Sequence, residues 1–310
     1  MTQGDNCIIV RPDDIYDIGG FTMIQDIFPH RLLNSYVPDK NHTDDSLAVV
    51  FEDGKLLIKG TKEEDGSSRK LFPRFSDLPA QNKILKTTYL FTVDNDDLFL
   101  IDNTDKTFIK PEGYIYSGIR DIRYTEDVSH KGKFEAFTAK QLFSWYQNNR
   151  FCGRCGSLTG KSQTERALVC PECGNTIYPR VVPAVIVAVL DKANDKILVT
   201  KYNGRVTSYY ALVAGFTEIG ETLEQTVERE VMEEVGLKVK NITYYKSQPW
   251  GVADDILAGF YCEVDGSIDI HRDEEELSVA EWKTREEVEL QPDDLSLTNE
   301  MMKKFKEGKV

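Results

Sequence analysis

The sequence has no long apolar run. Nowhere in its 310 residues does it approach the roughly 18 consecutive apolar residues that a membrane-spanning helix needs. Its first stretch, MTQGDNCIIVRPDD, has neither the basic segment nor the continuous apolar segment of a secretory signal peptide. From these absences we expect a cytoplasmic protein with no membrane span.

Positively charged residues are fewer than negatively charged ones. The chain has 38 Lys and Arg residues against 52 Asp and Glu residues, which gives a formal net charge of -14 at pH 7. Such a chain repels nucleic acid and anionic lipid at long range. A ligand that carries phosphates would therefore need cations between itself and the protein, and this requirement favours metal ions.

The amino-terminal part is predicted to be rich in β-strands. Segments 46–60 and 86–101 alternate apolar and polar residues around DG and DND turns, which is typical of antiparallel hairpins. A helix is predicted over residues 134–151, where apolar residues recur at helical spacing after a cap at Thr138. Together these elements predict a β-rich domain over residues 1–150 that ends in a helix.

The carboxy-terminal part interleaves strands and helices. Strands are predicted within 183–202 and 256–264, and a last helical segment is predicted near 296–306. An acidic helix lies between them. This order predicts an α+β fold in which helices cover a mixed sheet over residues 179–310.

Four of the six cysteines form two close pairs with the spacing C-x2-C-x14-C-x2-C, namely Cys152, Cys155, Cys170 and Cys173. In a reducing compartment this spacing indicates a metal site and not disulfides. Because all four positions are thiolates, none is left for water, so we predict structural zinc in a ribbon over 151–178. A nucleic-acid-binding ribbon is the less favoured alternative, since Lys161 and Arg166 are the only cations in the insert between the pairs.

Residues 215–237, GFTEIGETLEQTVEREVMEEVGL, combine an apolar stripe with a cluster of carboxylates. Glu233 and Glu234 follow Glu230 by three and four residues, so the three side chains converge on one side of a helix. Like charges at this spacing destabilise a bare helix, whereas Mg2+ or Mn2+ between them would turn the cluster into a metal site. The stripe recurs every four residues and would seat the helix on a sheet. It consists of Leu223, Val227, Val231 and Val235.

Two further features separate this segment from a solvated acidic helix, which is the simpler alternative. Arg229 lies one turn before Glu233 and eight residues after Glu221, where it can orient carboxylates by a bidentate bond. Gly215 precedes the helix, in what we expect to be a loop, and its carbonyl could join the metal ligands. The full pattern is G-x5-E-x7-R-E-V-x-E-E-x-G-L.

This pattern resembles the Nudix box at every position. The resemblance implies an α/β/α sandwich with a mixed sheet, and hydrolysis of a nucleoside diphosphate joined to another moiety. It also implies that one of the metal-binding glutamates activates water. The implied metal ligands are Glu230, Glu233 and Glu234, and the residues that hold the box together are Arg229 and Glu221.

The cysteine ribbon, YPR at 178–180 and SQPW at 247–250 occur in an order similar to that of the NADH pyrophosphatase group of Nudix hydrolases. The resemblance implies cleavage of NAD(H) into AMP and nicotinamide mononucleotide, removal of NAD caps from RNA by some members, and a homodimer.

The same resemblance implies roles for four further residues. Tyr178 and Phe216 match positions where an aromatic ring would stack a base. Glu276 aligns with a glutamate that completes the metal site, although with its neighbours it also fits a solvated acidic loop. Ser296 aligns with a segment near the ligand and equally fits a helix N-cap. For Tyr178 the alternative is a core tyrosine.

The chain departs from the group after SQPW. The group signature SQPWPFPxS is here SQPWGVADD, so two prolines and a phenylalanine are missing. We expect a more flexible and less apolar loop, in which Asp255 would repel a nearby phosphate, above all the 2′-phosphate of NADP. Gln248, Trp250 and Asp255 are the predicted substrate contacts of this segment.

Two other functions stay open on the sequence. Because of the altered segment, a Nudix hydrolase of ADP-ribose or another nucleoside diphosphate derivative is the nearest alternative to cleavage of NAD(H). A catalytically idle regulator that binds nucleotides is disfavoured, because a binder needs neither all three helix glutamates nor their arginine.

Overall fold

The computed structural model describes residues 23–60, 71–204 and 209–310. Residues 1–22, which include Cys7 and were assigned to the amino-terminal domain, lie outside the described residues. Strands and helices are both present throughout the rest, as the predicted α+β class requires. No helix in the described ranges is long and apolar enough to cross a membrane.

The amino-terminal part contains two small sheets, with strand orders β1-β5-β6-β2 and β3-β4-β7. Both predicted hairpins are present. The β3–β4 turn places Asp53 and Gly54 at positive φ, and the β5–β6 turn does so for Asp94. The strands are β1 Leu32–Leu33, β2 Leu47–Val49, β3 Phe51–Glu52, β4 Lys55–Lys59, β5 Thr87–Val93, β6 Asp96–Ile101 and β7 Tyr114–Ser117. Among the described residues of this part, short 3-10 helices span Phe75–Asp77 and Ala80–Asn82.

Two helices close this part, α1 Ile119–Tyr124 and α2 His130–Asn148. Helix α2 begins four residues before the predicted start at 134, so the predicted cap was wrong. Its N-cap is Ser129, whose hydroxyl accepts a hydrogen bond from the Gly132 amide at 3.1 Å. Because Ser129 already satisfies this orphan amide, the helix forms through Thr138 without a second cap.

Helix α2 buries a carboxyl group. Glu135 is 4% exposed, and its Oε1 lies 3.4 Å from the Lys131 ammonium. Burial raises the pKa of Glu135 to about 7 even though the charge of Lys131 opposes the shift. The folded state therefore favours the neutral acid, and stability that is present below pH 4.5 is lost as the pH rises through about 7.

We expect Glu135→Gln to raise the free energy of unfolding by on the order of 2 kcal/mol at pH 8 and to change it little at pH 5. Urea unfolding at the two pH values measures the difference. Glu286→Gln, at an exposed position, is the matched control and should have the same small effect at both. An equal effect of Glu135→Gln at pH 5 and pH 8 would contradict this account.

The cysteine-rich segment forms a three-stranded antiparallel sheet in the order β10-β9-β8. Hydrogen bonds join this sheet region to the amino-terminal part. The Arg166 guanidinium donates to the Leu90 carbonyl at 2.8 Å, and the Tyr36 hydroxyl donates to the Ser162 carbonyl at 2.8 Å. The strands are β8 Gly160–Lys161, β9 Leu168–Val169 and β10 Thr176–Ile177.

The carboxy-terminal part is built on a six-stranded mixed sheet in the order β14-β15-β11-β12-β16, with β13 paired to β11. Strands β11 and β15 run parallel, and the other pairs are antiparallel. The strands are β11 Val182–Asp191, β12 Lys196–Tyr202, β13 Val213–Phe216, β14 Val239–Trp250, β15 Asp255–Val264 and β16 Leu277–Thr284.

Helices α3, Leu223–Val235, and α4, Leu297–Lys306, cover opposite faces of this sheet. Alternate residues of the central strand β11 serve the two faces, because successive side chains of a strand point in opposite directions. Val185, Val187 and Val189 share a core with the stripe of α3, whereas Ile186 and Leu190 share one with α4. This arrangement is the predicted sandwich of helices around a mixed sheet.

The segment at Gly215, which we expected to be a loop, is a strand, and the loop that we expected after SQPW is a short turn. Gly215 lies in β13, where it pairs with Val185 of β11. The SQPW residues lie in β14 and pair with β15, so only 251–254 form a turn. That turn is packed on α2, because a Cβ at Gly251 would overlap the Phe137 carbonyl. Long-range pairing with neighbouring strands decides both cases, and local sequence does not show it.

Candidate active site

The acidic helix α3 is fixed at both ends. At its start, the Thr222 hydroxyl accepts from the Gln225 amide at 3.2 Å, and the Gln225 side chain accepts from the Thr222 amide at 2.8 Å. This reciprocal pair is a capping box. At its end, Gly236 adopts the left-handed conformation with φ 69°, which a glycine reaches without a Cβ clash. The carboxylates of the helix are therefore presented from a rigid element.

Arg229 is the centre of a charge network. Its Nε and Nη2 donate to the two carboxylate oxygens of Glu221 at 2.6 and 2.9 Å. Its Nη1 donates to Glu230 Oε1 at 2.7 Å and to Glu233 Oε2 at 2.9 Å, while Nη2 also reaches the Phe216 carbonyl at 2.9 Å. The bonds from Arg229 lower the pKa of Glu221 to about 2. One guanidinium thus orients three carboxylates and the end of β13.

Glu230 packs directly against the backbone of Gly215. A Cβ added to Gly215 would overlap the carboxyl group of Glu230, so this position of β13 accepts no larger residue without moving the side chain. The side chain is buried, and this burial raises the pKa of Glu230. The close approach also brings the backbone of Gly215 beside the carboxylate cluster.

Glu234 is the most deeply buried carboxylate of the helix, at 2% exposure. The Tyr202 hydroxyl lies 3.0 and 3.2 Å from its two oxygens. Burial raises the pKa of Glu234 to about 8, and the charges of Glu230 and Glu276 add to the shift. Without a cation beside it, Glu234 therefore holds a proton at neutral pH.

Glu276 is exposed in the turn before β16, and its charge raises the pKa of Glu230 as well as that of Glu234. The turn is held by Asn203, whose amide N–H donates to the Glu276 carbonyl at 2.8 Å. Four carboxylates thus act on one another beside a single guanidinium. This excess of negative oxygen donors fits a divalent cation such as Mg2+ or Mn2+.

Tyr202 is a residue of this site that the sequence did not indicate. Its hydroxyl accepts from the Ala214 amide at 3.0 Å and lies between β13 and Glu234. It ends strand β12 and matches no position of the box. Only the pairing of strands around it shows that it reaches the helix.

The four cysteine sulfurs form a compact cluster in which all lie within 4.8 Å of one another. The Cys155–Cys170 and Cys152–Cys173 pairs have sulfur separations of 3.4 and 3.7 Å. A tetrahedron with Zn–S bonds of about 2.3 Å has edges of about 3.8 Å, so the sulfurs suit zinc. The knuckle turns are closed by Gly156 and Gly174, whose amides donate to the Cys152 and Cys170 carbonyls at 2.8 and 3.0 Å.

Comparison with known families identifies both regions. Residues 180–305 match the NUDIX domain, and residues 147–178 match the NADH pyrophosphatase zinc ribbon domain. The chain carries a Nudix domain behind an NADH pyrophosphatase zinc ribbon. The Arg229 network and the Glu234–Tyr202 pair therefore lie in the Nudix domain, and the four-cysteine cluster lies in the ribbon.

Curated relatives match about half of this chain. The NAD-capped RNA hydrolase NudC of Enterobacter sp. (strain 638) is 41% identical over 152 residues, which are 49% of this chain and 58% of that protein. The protein of the same name from Escherichia coli O9:H4 (strain HS) is 40% identical over 152 residues, with the same coverage. The chain thus spans little more than half the length of the curated relatives it matches.

Solved structures match more distantly. A NUDIX hydrolase from Nitrosomonas europaea has a TM-score of 0.44 at 20% identity, over 51% of this chain and 91% of that one.

The predicted substrate residues around the Nudix sheet make contacts within the chain. Gln248 is fully buried, and its amide donates to the Leu295 carbonyl and accepts from the Leu297 amide, each at 2.8 Å. Trp250 packs edge-on against Phe137 at a centroid distance of 5.7 Å. The hydrogen bonds of Gln248 join β14 to the start of α4, and the ring contact of Trp250 joins β14 to α2. A role in substrate binding stays a prediction for both residues.

Asp255 and Ser296 are also enclosed. Asp255 is 6% exposed, its Oδ1 has no hydrogen-bond partner among the described residues, and burial raises its pKa to about 6. Ser296 caps α4 by accepting from the Asn299 amide at 3.2 Å, which is the alternative role that the sequence allowed.

The two aromatic candidates are open to solvent. Tyr178 is 58% exposed and Phe216 is 51% exposed, so neither ring is part of a core. The Tyr178 hydroxyl donates to Glu165 at 3.1 Å within the ribbon, whereas Phe216 ends β13 beside the Arg229 network. Both rings have faces on which a base could stack.

Proposed function

We propose that this protein hydrolyses the pyrophosphate bond of NADH and NAD+ to AMP and nicotinamide mononucleotide, and removes NAD caps from RNA 5′ ends. The observation that carries the proposal is the carboxylate cluster held by Arg229 in a Nudix domain that directly follows an NADH pyrophosphatase ribbon. Relatives named NAD-capped RNA hydrolase support the choice of substrate.

The glutamate cluster is the proposed site of chemistry. Mg2+ or Mn2+ held by Glu230, Glu233, Glu234 and Glu276, with the backbone of Gly215 nearby, would neutralise the pyrophosphate and acidify a water molecule. Arg229 orients Glu230 and Glu233 before substrate arrives, which reduces the reorganisation that the reaction would otherwise require. Glu234 is suited to exchange a proton, because its pKa is raised to about 8 and Tyr202 fixes its orientation.

We assign binding of the two bases of the dinucleotide to the exposed aromatic rings of Phe216 and Tyr178. Arg229 holds the Phe216 carbonyl, so the Phe216 ring is kept next to the carboxylates where one base of a dinucleotide would lie. Tyr178 offers a second ring, from the end of the ribbon. As part of the same proposal the protein is cytoplasmic, and it is a homodimer, as the resemblance to the NADH pyrophosphatases implies.

A second candidate is hydrolysis of ADP-ribose or another nucleoside diphosphate derivative. The observation that favours it is the turn at 251–254, where glycine, valine, alanine and aspartate replace the apolar proline-rich run of the group. A changed turn would leave the chemistry of the glutamates intact and could alter which substrate is recognised.

A product assay separates the candidates. The purified protein is given Mg2+ or Mn2+ with NADH, NAD+, NADP+, ADP-ribose or NAD-capped RNA, and kcat/KM is compared. We expect AMP and reduced nicotinamide mononucleotide, fastest from NADH, and slow turnover of NADP+ because a carboxylate at Asp255 would repel the 2′-phosphate. Fastest turnover of ADP-ribose would assign the second function, and no turnover of any substrate would leave a nucleotide-binding protein.

A further inference from the structure

A cleft of about 710 Å³ lies between the amino-terminal sheets and the zinc ribbon. Its walls come from β5 and β6, the end of α2 and the ribbon strands, and none of its lining residues belongs to the Nudix domain. The volume falls within the range of small-ligand sites, about 300–1,000 Å³. The cleft is therefore a site distinct from the glutamate cluster.

Three unpaired cations line this cleft. Lys86 precedes β5, Arg150 follows α2 and Lys161 lies in β8, so three separate elements bring them together. Within the described ranges, none of the three side chains forms an ion pair or a hydrogen bond. A fourth cation of the lining, Lys40, is already paired with Asp97 at 2.6 Å. In a chain with a net charge of -14, carboxylates outnumber cations, yet here cations lack partners.

Two carboxylates of the lining, Asp39 and Asp102, compensate the cations only in part, and Asp102 interacts electrostatically with Arg150 and Lys86. Burial lowers the pKa of Lys161, and the positive charge of Lys86 lowers it further, against weaker opposing effects of Asp39 and Asp102. Asp102 is already engaged, because Thr104 donates to it from its hydroxyl at 2.6 Å and from its amide at 3.1 Å. A bound anion would relieve the repulsion between the two ammonium groups.

The remaining polar lining suits phosphate. Neutral polar residues line the cleft beside the cations, among them Thr87, Thr88, Gln147 and Gln163. Phosphate groups are bound in proteins by such combinations of Lys or Arg with hydroxyl and amide donors. A carboxylate ligand would use fewer of these donors, since it has only two oxygens.

We propose that this cleft is a second anion site, which binds the phosphate groups of a nucleotide ligand without a divalent metal. The phosphates can come from the backbone of an RNA strand or from a compact free polyphosphate. The proposal rests on the cleft and not on the hydrolytic activity, so it is tested by direct binding.

Fluorescence anisotropy of the full chain, without added Mg2+ or Mn2+, measures binding of a labelled single-stranded RNA of about ten nucleotides. Calorimetry measures binding of inorganic pyrophosphate under the same conditions. The cleft variant is Lys86→Gln with Lys161→Gln. Its matched control is Lys55→Gln with Lys238→Gln, which removes the same charge from exposed sites outside the cleft.

We expect the cleft variant to weaken binding of at least one probe by about tenfold or more, and to reduce the salt dependence of RNA binding by about 1.4 in log–log slope. Weaker RNA binding alone identifies the strand backbone, and weaker pyrophosphate binding identifies a compact ligand. Arg150→Gln should weaken the same probe, which guards against misfolding of the double variant. Equal affinities of cleft variant and control, or no binding of either probe to the wild-type protein, would overturn the proposal.

Discussion

Glu234→Gln should lower kcat for NADH by about 10²–10⁴-fold, the range that a positioned proton-transfer group contributes. The amide keeps the shape of the side chain and can still accept from the Tyr202 hydroxyl. It cannot give up a proton, and it brings no charge to a bound cation. The loss should therefore appear in kcat, measured with saturating Mn2+ and product analysis.

The Glu234→Gln variant should lose activity without losing stability. Because the pKa of Glu234 is raised to about 8, the wild-type side chain is already neutral at pH 7 when no metal is bound, and glutamine reproduces that state. Thermal unfolding at pH 7 without metal should give an unchanged Tm. Glu228→Gln, at an exposed position of the same helix, is the matched control and should keep full activity. Turnover of Glu234→Gln close to that of the wild type would show that this carboxylate takes no part in the reaction.

Cys152→Ser should release zinc and lower the Tm of the ribbon and the adjoining amino-terminal sheets by on the order of 10 °C. Zinc binding is coupled to folding, and three thiolates hold the ion less well than four. The loss of stability should extend from the ribbon to the amino-terminal sheets, because Arg166 and Tyr36 join the ribbon to the amino-terminal part. Metal analysis of the purified chain and thermal unfolding measure the two effects.

Cys262→Ala is the control for zinc content, since Cys262 lies buried in the Nudix sheet, away from the four sulfurs. It should keep one zinc ion per chain. If Cys152→Ser kept its Tm and lost only activity, the metal would have a catalytic role and the structural assignment would be wrong.

Local patterns predicted the elements whose contacts are mostly local. The four-residue stripe predicted helix α3 and the face it buries, and the DG and DND turns predicted both hairpins. The cysteine spacing predicted a cluster because each knuckle is a short turn. In these cases the residues that decide the structure lie within a few positions of one another.

Contacts between elements that lie far apart in the sequence could not be predicted from local patterns. Gly215 was expected in a loop and lies in β13, because its partner is Val185, thirty residues earlier in the chain. Tyr202 joins the site only through the approach of β12 to α3, and Gln248 is buried because α4 returns to β14. The cap at Thr138 was wrong for a local reason, since Ser129 offered an earlier start.

Transfer of this glutamate site to another protein scaffold would require more than helix α3, because Glu230 packs against the backbone of Gly215. A graft of helix α3 alone into another scaffold would carry its glutamates and Arg229 but would leave behind β13, which makes room for Glu230, and β12, which supplies the Tyr202 hydroxyl. The smallest portable unit is therefore a helix together with two strands and the turn before β16.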